Sequence, residues 1–198
     1  MRRLPFLLGL AGALLTAPAC SLPEGDGVTP AGAHYRWLAA VSSGDGEALW
    51  DLLDPAVRAD YEAWLVAERL AVGEIRAAYP KEDVAAALAA FDGGKRGDLP
   101  DARRLFEATR ETTPAPALEG LGVLGARVRS ETPSADGRAV TLRTWGGDDI
   151  VVVTHDGGGW HLTLPAAELE RLRSAREAAE RNLARVRKNL KKLSGKGT

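Results

Sequence analysis

Cys20 is the only cysteine of the 198-residue chain, and its three histidines are His34, His155 and His161. A thiol is a nucleophile that can take up an acyl group, and an imidazole or carboxylate with a tuned pKa can move a proton. Beside the histidines, Asp149 is a further candidate base. None of the four stands at a spacing that pairs a base with an acid. His155 ends a strand next to Asp156, His161 alternates with Trp160 and Leu162, and His34 falls in the first turn of a helix. Each therefore reads as a surface or locally paired group, and no catalytic residue is assigned. The chain has no His-Glu-x-x-His, no cysteine pair and no acidic run with calcium-loop spacing around Asp148-Asp149. "GGKRGD" lacks the glycine spacing of a phosphate loop, and its Arg96-Gly97-Asp98 triplet reads as a Gly-rich helix break. Neither a metal nor a cofactor is expected.

Cys20 is informative because of what precedes it. Arg2-Arg3 is a short basic start, Leu4 to Ala19 is uncharged and mostly apolar, and small residues close the stretch. That is the layout of an export signal. Pro5 interrupts the run, which is shorter than the roughly 20 residues of a membrane span. Ala17-Pro18-Ala19-Cys20 resembles the lipobox of bacterial lipoproteins, with Ala17 where that family usually has Leu. The resemblance implies cleavage between Ala19 and Cys20 and lipidation (palmitate-type acylation) of Cys20. Ser21 stands where an inner-membrane retention signal would have Asp, so the resemblance implies an outer-membrane anchor facing the periplasm. The alternative is plain secretion, with the cut at the same bond. One acyl chain anchors only marginally, and a doubly acylated amino terminus would hold firmly.

Charge is unevenly spread. From Glu168 onward ten Lys or Arg face four Glu, a net of +6, whereas Leu4 to Ala167 carries a net of −9. The tail 165–198 has Leu169, Leu172, Arg176, Ala179, Leu183, Val186, Leu190 and Leu193 at successive a and d positions of a heptad. A helix with such a seam must fold back on the body or find a partner helix, including a second copy. Arg181, Arg185, Arg187, Lys188, Lys191 and Lys192 lie in a stretch without acids and are expected to make a basic surface contact, with anionic lipid, cell-wall polymer or an acidic protein. Nucleic acid is not expected as a partner of an exported chain.

Between signal and tail, residues 20–28 read as the lipidated cysteine and a flexible tether, and 29–164 as one domain. Thr29-Pro30, Asp45, Asp54-Pro55 and Leu99-Pro100 are helix starts. Val57, Tyr61, Trp64, Leu65, Val72 and Ile75 recur at three and four, a core-facing stripe. "KEDVAAALAAF" predicts another helix, stopped by Gly93-Gly94. The period then shortens. "VLGARVRSE", "RAVTLRTW", "DIVVVTH" and "WHLTL" predict strands, joined at Asp136-Gly137, Gly146-Gly147-Asp148 and Asp156-Gly157-Gly158-Gly159. Helices first and strands after predict an α+β fold, a helical first half packed on a curved antiparallel meander, with a long C-terminal helix.

This order, with "SSGDGEALWDLLDPAVRADYE" and the Trp-led closing strand "GGGWHLTL", resembles the cystatin-like cone of the nuclear transport factor two superfamily over residues 29–164. The resemblance implies a cone whose interior can hold a ligand, or, as in ketosteroid isomerases and small dehydratases, an Asp or His base. Tyr35, Trp64, Trp145 and Trp160 are the candidate pocket aromatics, with ordinary core packing as the alternative. The expectation is a membrane-anchored envelope lipoprotein acting as a non-catalytic binding or scaffold module. The alternatives are a small isomerase- or dehydratase-type enzyme and a structural protein that oligomerises through its last helix.

Overall fold

The backbone N–H of Gly32 donates to Thr29 Oγ1 at 3.0 Å, and Pro30 sits in the first turn, so helix α1 (Pro30–Ser43) starts where a hydroxyl cap and a pre-set φ coincide. The same chemistry recurs. Asp45 accepts from Ala48 N ahead of α2 (Gly46–Asp51), and Asp54 accepts from Ala56 N ahead of Pro55 in α3 (Pro55–Ala78). Gly44 ends α1 at φ 68°, a conformation that suits glycine. The computed structural model describes residues 23–110, 121–154 and 159–194. Ala19, Cys20, the signal stretch and His155 lie outside the described residues. Within the stretch expected as tether, Asp26 Oδ1 accepts from Val28 N, Thr29 N and Thr29 Oγ1, each at 3.0 Å.

Helix α4 (Lys81–Leu88) is shorter than the sequence suggests. Its end tightens into a 3₁₀ segment, Ala89–Gly94, in which Asp92 and Gly93 take positive φ. That turn carries Phe91 into the core at 1% exposure, against Ala71, Val72, Ile75 and the last helix. After α5 (Ala102–Arg110), whose N-terminus Asp101 caps through Arg104 N, the described chain resumes in a helical turn, α6 (Leu121–Gly125). The first predicted strand is corrected here. It begins at Val128, not Val123, because the chain reaches the sheet only after Gly125. There the Gly125 carbonyl accepts from Gly146 N at 2.8 Å and the Arg127 carbonyl from Trp145 N at 2.9 Å.

The sheet is an antiparallel meander, β1 (Val128–Pro133), β2 (Ala139–Thr144), β3 (Asp149–Thr154) and β4 (Trp160–Leu162), in sequence order. Val140 pairs with Val152, and Val152 with Leu162, so alternate residues stand on one face. That face buries Val140, Leu142, Val152 and Leu162 against Ala33 and Trp37 of α1. The fold is α+β, as the sequence predicts.

One parallel bridge ties the two halves together. Leu53 pairs with Leu162, through Leu162 N to the Leu52 carbonyl at 2.8 Å and Asp54 N to the Leu162 carbonyl at 2.9 Å. Helix α3 leaves one side of this bridge. Helix α7 (Ala166–Ser194) leaves the other, two residues past Leu164. The two helices therefore run in the same direction, and Arg176 meets Asp60 while Arg187 meets Glu74. The heptad seam of α7 folds back on α3, with Leu172, Ala179, Leu183 and Val186 buried.

Candidate functional site

A cavity of about 490 Å³ opens between α1, the β3–β4 side of the sheet and the start of α7. His34, Trp37 and Leu38 line it from α1, Asp149 and Ile150 from β3, and Thr163 and Glu168 from the exit to α7. Arg110, the last residue of α5, stands at its wall. The Arg110 guanidinium lies over the rings of Trp37 at 5.1 Å and Phe106 at 5.3 Å, a cation held in place by two aromatic faces.

His34 is 2% exposed, far more buried than a surface histidine in a first helical turn. Covering the sheet is what buries it, since α1 lays this face on the strands. Its Nε2 lies 2.9 Å from the Ala126 carbonyl oxygen. A carbonyl can only accept, so Nε2 carries the proton and Nδ1 is left as the bare acceptor. Nδ1 is buried and has no hydrogen-bond partner among the described residues. Burial pushes the His34 pKa down from 6.5, while the Ala126 carbonyl and the Asp148 charge oppose that shift. Asp149 lines the same cavity, but Arg143 holds it through two bonds, 2.8 and 2.9 Å. That grip lowers the Asp149 pKa from 3.8. A carboxylate so held is a poor proton acceptor near neutral pH. The cavity thus brings together two of the candidate bases, Asp149 engaged by Arg143 and His34 with a buried Nδ1 whose basicity burial lowers.

The His34 shift has a measurable sign. As pH falls through 6.5, unfolded His34 takes up a proton that the folded state refuses. Stability is full above that value and declines below it. Thermal unfolding between about pH 7.5 and about pH 5.5 should show a falling midpoint, and His34→Gln should flatten that slope. The lowered carboxylates Asp26, Asp98, Asp136 and Asp149 all titrate below 3.8 and act outside this window. An unchanged slope in His34→Gln would refute the assignment.

The four aromatics expected to line a pocket are spread over separate surroundings, and none of them lines this cavity. The Tyr35 hydroxyl accepts from Val128 N at 3.0 Å, tying α1 to β1. Trp64 stacks on Tyr61 and donates through Nε1 to Glu68. It borders a second cavity of about 310 Å³ between α3, α5 and α7. Trp145 is 64% exposed with the Arg129 guanidinium 5.1 Å over its ring, and Trp160 is half-buried on the sheet. Trp37 and Arg110 line the cavity instead. Trp37 follows His34 by three on one helix face, a spacing that could have marked it. His161 is half-buried on β4.

On α7 the six candidate basic residues are all exposed. Arg181 pairs with Glu177 at 3.3 Å and Arg187 with Glu74 at 2.9 Å. Arg185, Lys188, Lys191 and Lys192 have no acid partner among the described residues. In the Arg96-Gly97-Asp98 triplet, Arg96 pairs with the buried Glu68 at 3.0 Å, and Asp98 forms an exposed pair with Arg76 at 2.6 Å. Among the described residues no helix is long and apolar enough to cross a membrane, and no cluster of three or more His, Cys, Asp or Glu could hold a metal ion. No protein-family model, no curated protein and no solved structure matches the chain.

Proposed function

We propose that the chain is a bacterial envelope lipoprotein, anchored through acylated Cys20 and carrying a non-catalytic binding or scaffold domain of the nuclear transport factor two-like kind. The observation that carries the reading is the run from Arg2-Arg3 through an apolar stretch to Ala17-Pro18-Ala19-Cys20, which also accounts for a single cysteine. The helices-then-meander order supports the superfamily resemblance. The engagement of Asp149 by Arg143 and the burial that lowers the basicity of His34 support binding over catalysis. The unpartnered bases on α7 support contact with an anionic surface. The enzyme alternative draws on His34 and Asp149 sharing one cavity. It would require turnover of an isomerase- or dehydratase-type substrate that His34→Ala or Asp149→Asn abolishes. Oligomerisation through the last helix has less to draw on, since α3 already covers the seam.

The test is the intact mass of the protein from its native membrane fraction, beside Cys20→Ala. Loss of residues 1–19 with added acyl mass on the wild type alone is the expected result. A full-length or cleaved but unacylated mass would sink the anchor. With the same preparation, binding to vesicles rich in anionic lipid should weaken as salt rises, because the contact is between exposed charges. Salt-insensitive binding, or none, would remove the tail from the reading.

A further inference from the structure

A groove of about 500 Å³ runs between α4 with its 3₁₀ extension and the C-terminal half of α7. That is within the range of roughly 300–1,000 Å³ typical of small-molecule sites. Its apolar lining is Phe91 and Val186, both buried, with Ala86, Ala87, Ala90 and Leu193. The alanines keep the α4 wall low, over a floor formed by the buried Phe91 and Val186. Leu193 is 40% exposed at the edge of this strip, a large apolar side chain that the fold leaves uncovered.

The other lip is polar in a regular way. Asn182, Arg185, Asn189 and Lys192 line the groove from α7, spaced three, four and three residues apart. That spacing sets them in one row along the helix. The row offers a planar guanidinium, an ammonium and two amides. Arg185 and Lys192 have no acid partner among the described residues, and Asp83 on the α4 wall is the one acid that lines the groove. An apolar strip beside a row of free cations is complementary to a molecule with a long hydrocarbon chain and an anionic oxygen head. The guanidinium fork matches a carboxylate in two parallel bonds. Peptide partners need far more surface, about 800 Å² a side for a stable complex.

We infer that this groove binds a long-chain fatty carboxylate, its chain along Ala86, Ala90 and Leu193 above the buried Phe91 and Val186, and its head on Arg185 and Lys192. The inference goes beyond the envelope reading and does not depend on it, since free fatty acid in solution reaches the groove whatever compartment the chain occupies. Oleate is the probe, added to the purified full chain to displace a fluorescent fatty acid. Saturable displacement is expected, with oleyl alcohol roughly ten-fold weaker because it lacks the charge. Arg185→Glu with Lys192→Glu should lower oleate affinity roughly ten-fold and leave oleyl alcohol unchanged. Both residues are exposed, so this variant keeps the fold. Ala86→Trp, filling the groove from the surface of α4, should abolish displacement by either ligand, with unfolding temperature unchanged. Absence of saturable binding, equal affinity for oleate and oleyl alcohol, or a probe indifferent to Ala86→Trp would overturn the proposal. So would displacement by an acidic amphipathic peptide where oleate fails.

Discussion

Replacing Arg96 with alanine is expected to destabilise the fold by about 3 kcal/mol, a large share of the roughly 5–15 kcal/mol that holds a domain together. Glu68 explains the size of the effect. Its carboxylate is on the face that α3 turns inward and is 3% exposed. Oε1 accepts from Trp64 Nε1 at 3.1 Å and from Arg96 Nε at 3.0 Å. Oε2 is buried with no hydrogen-bond partner in the described chain. Among the described residues Arg96 is therefore the one cation in bonding contact with a charge that water barely reaches. Removing it leaves the desolvation cost of Glu68 in place and takes away the compensation. The Arg96 side chain is itself 32% exposed, so solvent screens part of the pair, which is why the figure stands at the low end for a broken buried ion pair.

The asymmetry of the pair is the sharper part of that prediction. Glu68→Leu with Arg96→Leu removes both charges together and should lie within about 1 kcal/mol of the wild type. Glu68→Gln in the Arg96→Ala background should recover much of the loss, because the amide is neutral and still accepts from Trp64. Denaturant unfolding of the four chains measures this directly. If Arg96→Ala costs no more than the double leucine variant, Glu68 is not held by Arg96. The same geometry explains the Arg96-Gly97-Asp98 triplet. A Cβ at Gly97 would come within 2.9 Å of Val72 Cγ2, so the loop lies tight on α3 and delivers Arg96 to Glu68 and Asp98 to Arg76.

Helix starts were legible in the sequence because a cap is local chemistry. Thr29, Asp45 and Asp54 each bond a backbone N–H two or three residues on, and no distant residue is needed. The meander was legible for a similar reason, since Asp136-Gly137 and Gly146-Gly147 serve turns whose conformation needs glycine, with Gly137 at φ 70° and Gly147 at φ 92°. What stayed hidden was set by contacts far apart in the chain. The end of α4 tightens because Phe91 must reach a core built by α3 and α7. The first strand starts late because Gly125 and Arg127 bond to Gly146 and Trp145 across the sheet.

The site follows the same division. That His34 lies near the start of the first helix is a local statement, and it is correct. Its burial depends on α1 lying across β2, β3 and β4, which no local pattern announces. Arg110 is the last residue of α5, and its place over Trp37 arises only where α5 meets α1. A seam of apolar residues on α7 announced that something must cover it. It could not say that the cover is α3, because that depends on the Leu53–Leu162 bridge launching both helices side by side.

Arg176 breaks that seam, and its replacement is the second large effect expected. In a heptad of apolar residues it occupies a core position, and Asp60 of α3 meets its guanidinium there. The pair is half-covered, with the side chains 31% and 19% exposed, and Glu180 adds a weaker contact at 3.7 Å. Arg176→Leu would complete the apolar row but leave Asp60 facing it without a partner. Asp60→Leu would leave Arg176 with Glu180 alone. Each single variant should cost about 2 kcal/mol, and the double variant should be near the wild type or above it, as two leucines pack where two charges were desolvated. A double-mutant cycle therefore should give a coupling of about 4 kcal/mol, the sum of the two single losses, and additive losses would refute the pairing. The ion pair also fixes register. Sliding α7 by one turn along α3 would bring Arg176 against Leu or Val and Asp60 against Leu172 or Ala179, at the cost of two buried charges. An all-apolar seam carries no such penalty, so the double-leucine chain should retain its helix content while α7 exchanges amide hydrogens faster than in the wild type. Slower or equal exchange in α7 would show that apolar packing alone sets the register.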